Sequence, residues 1–280
     1  LSRRHFVCAS AFAAVGLPVV LGRTSPVLAA DAGAYAAPKS PRATLNFNYD
    51  WKFIRQDVPG AEAPAFNDAA WAEIATPHSF NDVDSFRKII SHSGGDTGTY
   101  KGLSWYRKHF KLPAEAAGHK VFLEFEGMRQ AGDIFLNGKQ VGLYENGVSA
   151  YGIDITDALL FGGQENVLAI KVDNTTRYQE RAFCAANPKN ADGSTCVPTG
   201  YQWNANDFNP DHGGINRHVW LHVTGKIYQT LPLYYGLESQ GVYVHAADIN
   251  VAAKTAEVTV ESEVHNQSGA RTTVALTAII

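Results

Sequence analysis

The chain has 280 residues and a formal net charge of −3, with 45% hydrophobic and 18% charged residues. That length holds one large domain or two modest ones with room for a buried core, and the balance is that of an ordinary globular protein. It excludes a nucleic-acid partner, because no Lys/Arg run or basic stripe is present to release counterions from phosphates.

At the N-terminus, Ser2-Arg3-Arg4-His5-Phe6 precedes an apolar run from Val7 to Leu21 and then Ser25-Pro26-Val27-Leu28-Ala29-Ala30-Asp31. A basic start, a short apolar middle and a small-residue exit read as a signal peptide over 1–30. The paired arginines resemble a twin-arginine export signal. The alternative is a membrane anchor, for which the run is short. Export to the periplasm or outside the cell is therefore expected, with no membrane association after cleavage. The first residue is Leu rather than Met, so the start is expected to lie upstream. Residues 31–43, rich in Ala, Pro and Ser, read as a flexible leader. Cys8 leaves with the signal. Cys184 and Cys196 are expected to close one small disulfide loop in an oxidising compartment. A metal pair would need further Cys or His ligands close by, so neither a metal nor another cofactor is expected.

Beyond the leader the dominant period is two. Val121, Leu123 and Phe125 alternate with Phe122, Glu124 and Glu126. Leu168, Ile170 and Val172 alternate with Ala169, Lys171 and Asp173, and Val219, Leu221 and Val223 with Trp220, His222 and Thr224. One apolar and one more polar face per strand suits a sheet covered on one side. Asn137-Gly138 between apolar runs predicts a hairpin, since both turn positions must accept positive φ. Gly162-Gly163 and Asn174-Thr175 mark further strand ends. No long stretch has a helical apolar period, so the chain reads as all-β. Gly225 to Ser239 is a Pro- and Gly-punctuated connector. A new alternating series follows, with Val258, Val260, Ser262 and Val264 opposite Glu257, Thr259, Glu261 and Glu263. Three strands are expected there, where such a sandwich has about seven, so the sequence is expected to stop inside a domain, with open strand edges.

Several segments in order resemble glycoside hydrolase family 2, the β-galactosidases, β-glucuronidases and β-mannosidases. They are Trp51-Lys52-Phe53 with Trp71; Thr76-Pro77-His78-Ser79-Phe80; Leu103-Ser104-Trp105-Tyr106-Arg107-Lys108-His109-Phe110; Phe135-Leu136-Asn137-Gly138-Lys139; Tyr151-Gly152-Ile153-Asp154-Ile155-Thr156-Asp157; Asn166 to Asn174; and Gly213-Gly214-Ile215-Asn216-Arg217-His218-Val219-Trp220-Leu221. Together they cover about residues 44 to 224, a specific signal where any one alone is weak. The resemblance implies a jelly-roll, galactose-binding-like sandwich over 44–226, a linker over 227–239 and an incomplete immunoglobulin-like sandwich over 240–280. It also implies a (β/α)8 barrel on the same polypeptide, carrying an acid/base and a nucleophilic glutamate. Retaining hydrolysis needs two carboxyls about 5 Å apart across the sugar, and this sequence holds neither the barrel nor an Asn-Glu dipeptide. The chain is thus expected to be an inactive front part of a secreted retaining glycosidase, with β-galactosidase the favoured label and a glycoside as substrate. The alternative is a free-standing carbohydrate-binding module. A repetitive adhesive β-protein would show repeats, and none appear.

By the same resemblance, loops of the first domain reach towards the sugar. Trp203, Asn206, Asp207, Asp211 and His212, just ahead of the Gly-Gly-Ile motif, are candidate sugar contacts. Their amides, carboxylates and imidazole suit hydroxyl recognition and the indole suits stacking. The competing reading is a polar surface loop whose Asn and Asp cap turns. The Gly-rich stretch from Asn81 to Gly98, with Asp82, is a second candidate against a solvated linker. A calcium loop at Asp82 and Asp84 lacks its remaining acidic positions. His78 and His109 read as packing or surface residues, and Glu124 and Glu126 as a solvated strand face. No Gly-x-Ser-x-Gly elbow supports a serine triad.

Overall fold

The structure is a computed structural model that describes residues 6–7, 42–80, 100, 102–147, 149–174, 186–189, 191, 193–195 and 213–277. Its strands are β1 (Phe6–Val7), β2 (Ala43–Asn46), β3 (Trp51–Ile54), β4 (Ala72–Ile74), β5 (Leu103–Lys111), β6 (Lys120–Phe125), β7 (Ala131–Leu136), β8 (Lys139–Tyr144), β9 (Tyr151–Asp154), β10 (Glu165–Asp173), β11 (Val219–Thr224), β12 (Ile227–Gln229), β13 (Val242–Asn250), β14 (Thr255–Ser262) and β15 (Val264–Asn266). Helix among the described residues is limited to short turns, and no helix there is long and apolar enough to cross a membrane. The all-β sandwich architecture follows from the period-two pattern.

Two compact units divide the chain. One spans Thr44–Val223 with Tyr234–Leu237; the other takes in Leu1–Ala43, Thr224–Leu233 and Glu238–Ile280. In the first, a six-stranded sheet ordered β4-β3-β5-β10-β7-β8 and a four-stranded sheet ordered β2-β11-β6-β9 form the sandwich. The spine is the β5–β10 ladder, antiparallel from Leu103↔Asp173 to Lys111↔Glu165. On its inner face Tyr106, Leu168, Ile170 and Val172 meet Val121, Leu123, Phe125, Val219 and Leu221 from the other sheet, all nearly or fully buried. The expected hairpin joins β7 to β8, with Asn137 and Gly138 at φ 53° and 81°. Asn137 is also a staple. Its Nδ2 donates to Ala158 O and to Asn166 Oδ1, each at 2.9 Å, and its Oδ1 accepts from Val167 N. At the end of β9, Asp154 Oδ1 accepts from Thr156 N and Oγ1, the cap that the sequence suggests.

The outer face of the six-stranded sheet departs from the simple alternation. Trp105, Ala169, Ala61 and Trp71 form a second buried cluster, joined by Ile54, Val58, Phe66 and Phe135. The segment between β3 and β4 thus covers the face opposite the main core. Arg107, fully buried, organises that cover. Its Nε donates to Asp68 Oδ2 at 2.7 Å, Nη1 to the carbonyls of Ala61 and Ala63, and Nη2 to Phe66 O. His109 Nε2 donates to the same Asp68 oxygen at 2.9 Å, and its Nδ1 lies 3.4 Å from Glu165. Hydrogen bonds from all three guanidinium nitrogens offset the desolvation of this buried charge. Lys108, on the inner face, donates Nζ to Tyr49 O and sits 4.6 Å from the Phe47 ring centre. Burial pulls its pKa down, against the opposing pull of Asp50.

In the other unit β13 and β14 form an antiparallel hairpin, β1 pairs with β14 through Phe6↔Ser262 and Val7↔Glu261, and β12 pairs with β15. Glu263 ties this unit's connector to its strands: Oε2 accepts from Thr230 Oγ1 at 2.9 Å and Gln240 N at 2.7 Å, and Oε1 from His265 Nε2.

Removing the Asp68 carboxylate leaves the Arg107 charge buried, so Asp68→Ala is expected to lower stability by about 3 kcal/mol at pH 7. Burial pushes the Asp68 pKa up, but hydrogen bonds and charge from Arg107 and His109 win and hold it below the ordinary 3.8. A folded-state value below the unfolded one stabilises above the unfolded pKa, and the contribution fades as pH falls through the folded value. Urea midpoints of native and variant protein should therefore converge as pH drops below about 4.

Candidate functional site

One end of the first sandwich gathers the described residues that flank 81–99 and 175–212 in sequence. The segment 81–99 departs after Phe80 and comes back at Tyr100; the segment 175–212 departs after Asn174 and comes back at Gly213. Phe80 N donates to Gly213 O at 3.1 Å, joining the start of one to the end of the other. Asn174, fully buried, completes the circuit. Its backbone N donates to Gly102 O at 3.2 Å, its Oδ1 accepts from Gly102 N at 2.8 Å, and its Nδ2 donates to Tyr100 O at 2.8 Å. Tyr100 Oη in turn donates to Leu103 O at 2.7 Å, fixing the entry into β5. Arg55, just past β3, donates Nη1 to Phe80 O at 3.0 Å and lies 5.3 Å from the Tyr100 ring centre.

The glycine pair ahead of β11 has the role that the sequence suggests, with a sharper cause. Gly214 sits at φ 132°, and a β-carbon there would lie 2.4 Å from His78 O and 2.9 Å from Tyr106 Oη. At Gly213 a β-carbon would fall inside the Phe80 ring, 2.0 Å from Cζ. Backbone pairing continues on either side, with His78 N donating to Ile215 O and Gly214 exchanging bonds with Arg129. Only glycine allows three chain segments to approach this closely.

The same end carries a distinct electrostatic character. Burial raises the Tyr100 pKa, as do the nearby Asp57 and Asp173 charges, against Arg55. At the end of β8, burial raises the Glu145 pKa and the Asp133 charge adds to it. Glu145 N donates to Tyr235 Oη, and the rings of Tyr144, Tyr151 and Tyr235 pack edge-on or tilted, at interplanar angles of 51 to 70°, with centres 4.9 to 5.7 Å apart.

The nominated sugar contacts Asp82, Trp203, Asn206, Asp207, Asp211 and His212, and the cysteines Cys184 and Cys196, lie outside the described residues. In sequence Asp82 follows two places after Phe80 and His212 immediately precedes Gly213, the two residues that the backbone bond joins. Arg55, Tyr100, Asn174 and Glu145 were not singled out by sequence reasoning. Their signal was weak: each flanks a strand, and Asn174, though it closes a family segment, was read there only as a strand end. His78 and His109 are packing residues as expected, bonded to Tyr106 Oη and Asp68. The solvated-face reading of Glu124 and Glu126 is corrected. Glu124 accepts from His222 Nε2 at 2.7 Å and Glu126 from Trp220 Nε1 at 2.8 Å, because the neighbouring strand β11 presents donors in register. Among the described residues no group of three or more His, Cys, Asp and Glu side chains is placed to hold a metal.

Residues 100–207 match the family described as Glycosyl hydrolase 2 galactose-binding domain-like. This chain carries the N-terminal domain of glycoside hydrolase family 2. It is 42% identical over 229 residues to a beta-glucuronidase of Formosa agariphila, covering 81% of this chain and 22% of the relative. It is 30% identical over 182 residues to a beta-galactosidase of Thermoanaerobacter pseudethanolicus, covering 65% and 21%. The solved structure of a beta-glucuronidase from glycoside hydrolase family 2 superposes with a TM-score of 0.70 at 40% identity, over 83% of this chain and 23% of that one. The chain therefore spans about a fifth of the length of the relatives it matches. The matched family segment opens at Tyr100 and runs through Asn174, so the family 2 domain contains both halves of that clamp.

Gly214→Ala adds a clash to a backbone conformation that L residues avoid, and is expected to cost at least about 2 kcal/mol. A urea midpoint that stays at the native value would contradict the close approach at His78.

Proposed function

We propose that this chain is the sugar-recognising front part of an exported, retaining family 2 glycosidase, and that the enzyme acts on β-glucuronides in preference to β-galactosides. The observation that carries the reading is the extent of likeness to a beta-glucuronidase, 42% over 229 residues, against 30% over 182 for a beta-galactosidase. That contrast turns the galactoside label suggested by motif resemblance towards glucuronide. In this reading bond cleavage belongs to a carboxyl pair on the family's barrel. The domain described here supplies a rigid sandwich and, at one end, a clamped base for segments that hold the terminal sugar. Loops on a rigid scaffold are the usual carriers of such contacts. Export of the folded protein by the Arg3-Arg4 leader completes the proposal, and a reporter fused behind residues 1–30 should lose export on Arg3→Lys with Arg4→Lys.

The test is hydrolysis of p-nitrophenyl β-D-glucuronide and β-D-galactoside by the whole encoded protein. The glucuronide is expected to have the higher kcat/KM by at least about tenfold, as for a site that pairs a substrate polar group. A galactoside preference would reverse the assignment, and cleavage of neither would remove the glycosidase reading. The 280-residue chain by itself is expected to cleave neither.

A further inference from the structure

The triplet Asn-x-Ser/Thr, with x other than Pro, is the acceptor signal for N-linked oligosaccharide. It occurs twice in the chain, at Asn174-Thr175-Thr176 and at Asn266-Gln267-Ser268. The sequence does not choose between them, but the fold does. Asn174 is fully buried, its Oδ1 accepting from Gly102 N and its Nδ2 donating to Tyr100 O. An amide nitrogen held in this way is closed to an incoming enzyme. Asn266 is exposed at the end of β15 and opens a bend in which every residue to Ala270 is exposed. Its Oδ1 accepts from Ser268 N at 3.0 Å and from Ser268 Oγ at 2.7 Å, and its Nδ2 donates to Ala270 O at 2.8 Å. A primary amide nitrogen carries two protons, and the bond to Ala270 uses one. The hydroxyl of the triplet therefore already lies on its amide. Pairing of Asn266 with Ile227, and a bond from Gln267 N to Lys226 O at 2.8 Å, fix the base of the bend. There is room beside it, since a β-carbon placed on Gly269 meets nothing within 4 Å.

We infer that Asn266 is an acceptor site for an N-linked oligosaccharide, transferred from a lipid-pyrophosphate donor after the protein has folded. In the transfer Nδ2 attacks C1 of the first sugar, and the bond from C1 to the pyrophosphate oxygen breaks. The lipid pyrophosphate leaves with that electron pair. One amide proton passes to a base of the transferring enzyme, and nothing is oxidised or reduced. The inference goes beyond glycoside cleavage, since here sugar is attached to the protein instead of being released from a substrate. It rests on the proposed export, which brings the chain to the compartment where such donors are used. A leader of the twin-arginine kind carries folded protein, so the transferase meets the finished fold. Burial then selects between the two triplets, and a bulky, solvated glycan suits the exposed one.

The test is transfer to the whole encoded protein, purified and folded, by a single-subunit oligosaccharyltransferase that accepts any Asn-x-Ser/Thr triplet, supplied with its lipid-pyrophosphate oligosaccharide. Peptide mass spectrometry should find the sugar on Asn266 and none on Asn174. Synthetic peptides spanning 172–178 and 262–270 should both be modified, which isolates the effect of the fold. Asn266→Gln and Ser268→Ala should each abolish the modification and Ser268→Thr should keep it, all three at the native melting temperature. An unmodified peptide 262–270, or a modified peptide beside a bare Asn266 in the folded protein, overturns the inference. Equal modification of Asn174 in the folded protein overturns selection by burial. In cells that hold the same transferase in the exporting compartment, Arg3→Lys with Arg4→Lys should leave Asn266 bare. Transfer to the purified protein with none to the native protein in those cells sinks the export reading instead, and the site stands.

Discussion

The register between β5 and β10 settles more of this molecule than any other pairing. Nine residues on each strand run antiparallel from Leu103↔Asp173 to Lys111↔Glu165. That alignment places Tyr106 opposite Ile170 and Lys108 opposite Leu168 on the inner face, and Arg107 opposite Ala169 on the outer. A slip of one residue would exchange the faces, sending Arg107 into the main core and Tyr106 out of it. The same alignment brings Tyr100 and Gly102, just ahead of β5, level with Asn174, just after β10. The interior and the loop-bearing end are therefore consequences of one ladder.

Both faces of that ladder are buried, and they are buried by different means. The inner face uses apolar area and close packing against the second sheet. The outer face combines a small aromatic cluster with a guanidinium whose donors are taken up by Asp68 and by backbone carbonyls. Those carbonyls belong to an irregular segment that has no sheet to bond with. Arg107 supplies the partners that buried backbone oxygens require. A polar residue in the middle of a core strand is thus the reason a segment without regular structure can lie flat on a sheet.

Core, staple and buried ion pair lie along the body of the sandwich, while the chain ends of the two long segments are collected at its rim. Gly213 and Gly214 let three backbones meet there without side chains intervening. The described residues at the rim are held by backbone pairing together with Arg55 and Asn174.

What was readable without coordinates was local. Alternation identified the strands around Leu123, Ile170 and Leu221; Asn137-Gly138 identified a hairpin; the ordered segments from Trp51 to Leu221 identified the family. Each of these signals is carried by residues only a few positions apart along the chain, where covalent geometry and side-chain period act directly. The covered outer face was not readable, because Trp105 and Arg107 alternate with Tyr106 and Lys108 in a pattern that assigns neither face to solvent. The partnering of Glu124 by His222 and Glu126 by Trp220 escaped for a similar reason, since it depends on which strand becomes the neighbour. The circuit of Phe80, Tyr100, Asn174 and Gly213 is the clearest instance. By itself the sequence determined that strands would form and to which family they belong. Only the tertiary structure decided which chain ends meet, because hydrogen bonds across more than seventy positions exist once the sheet register has closed and have no trace in local composition.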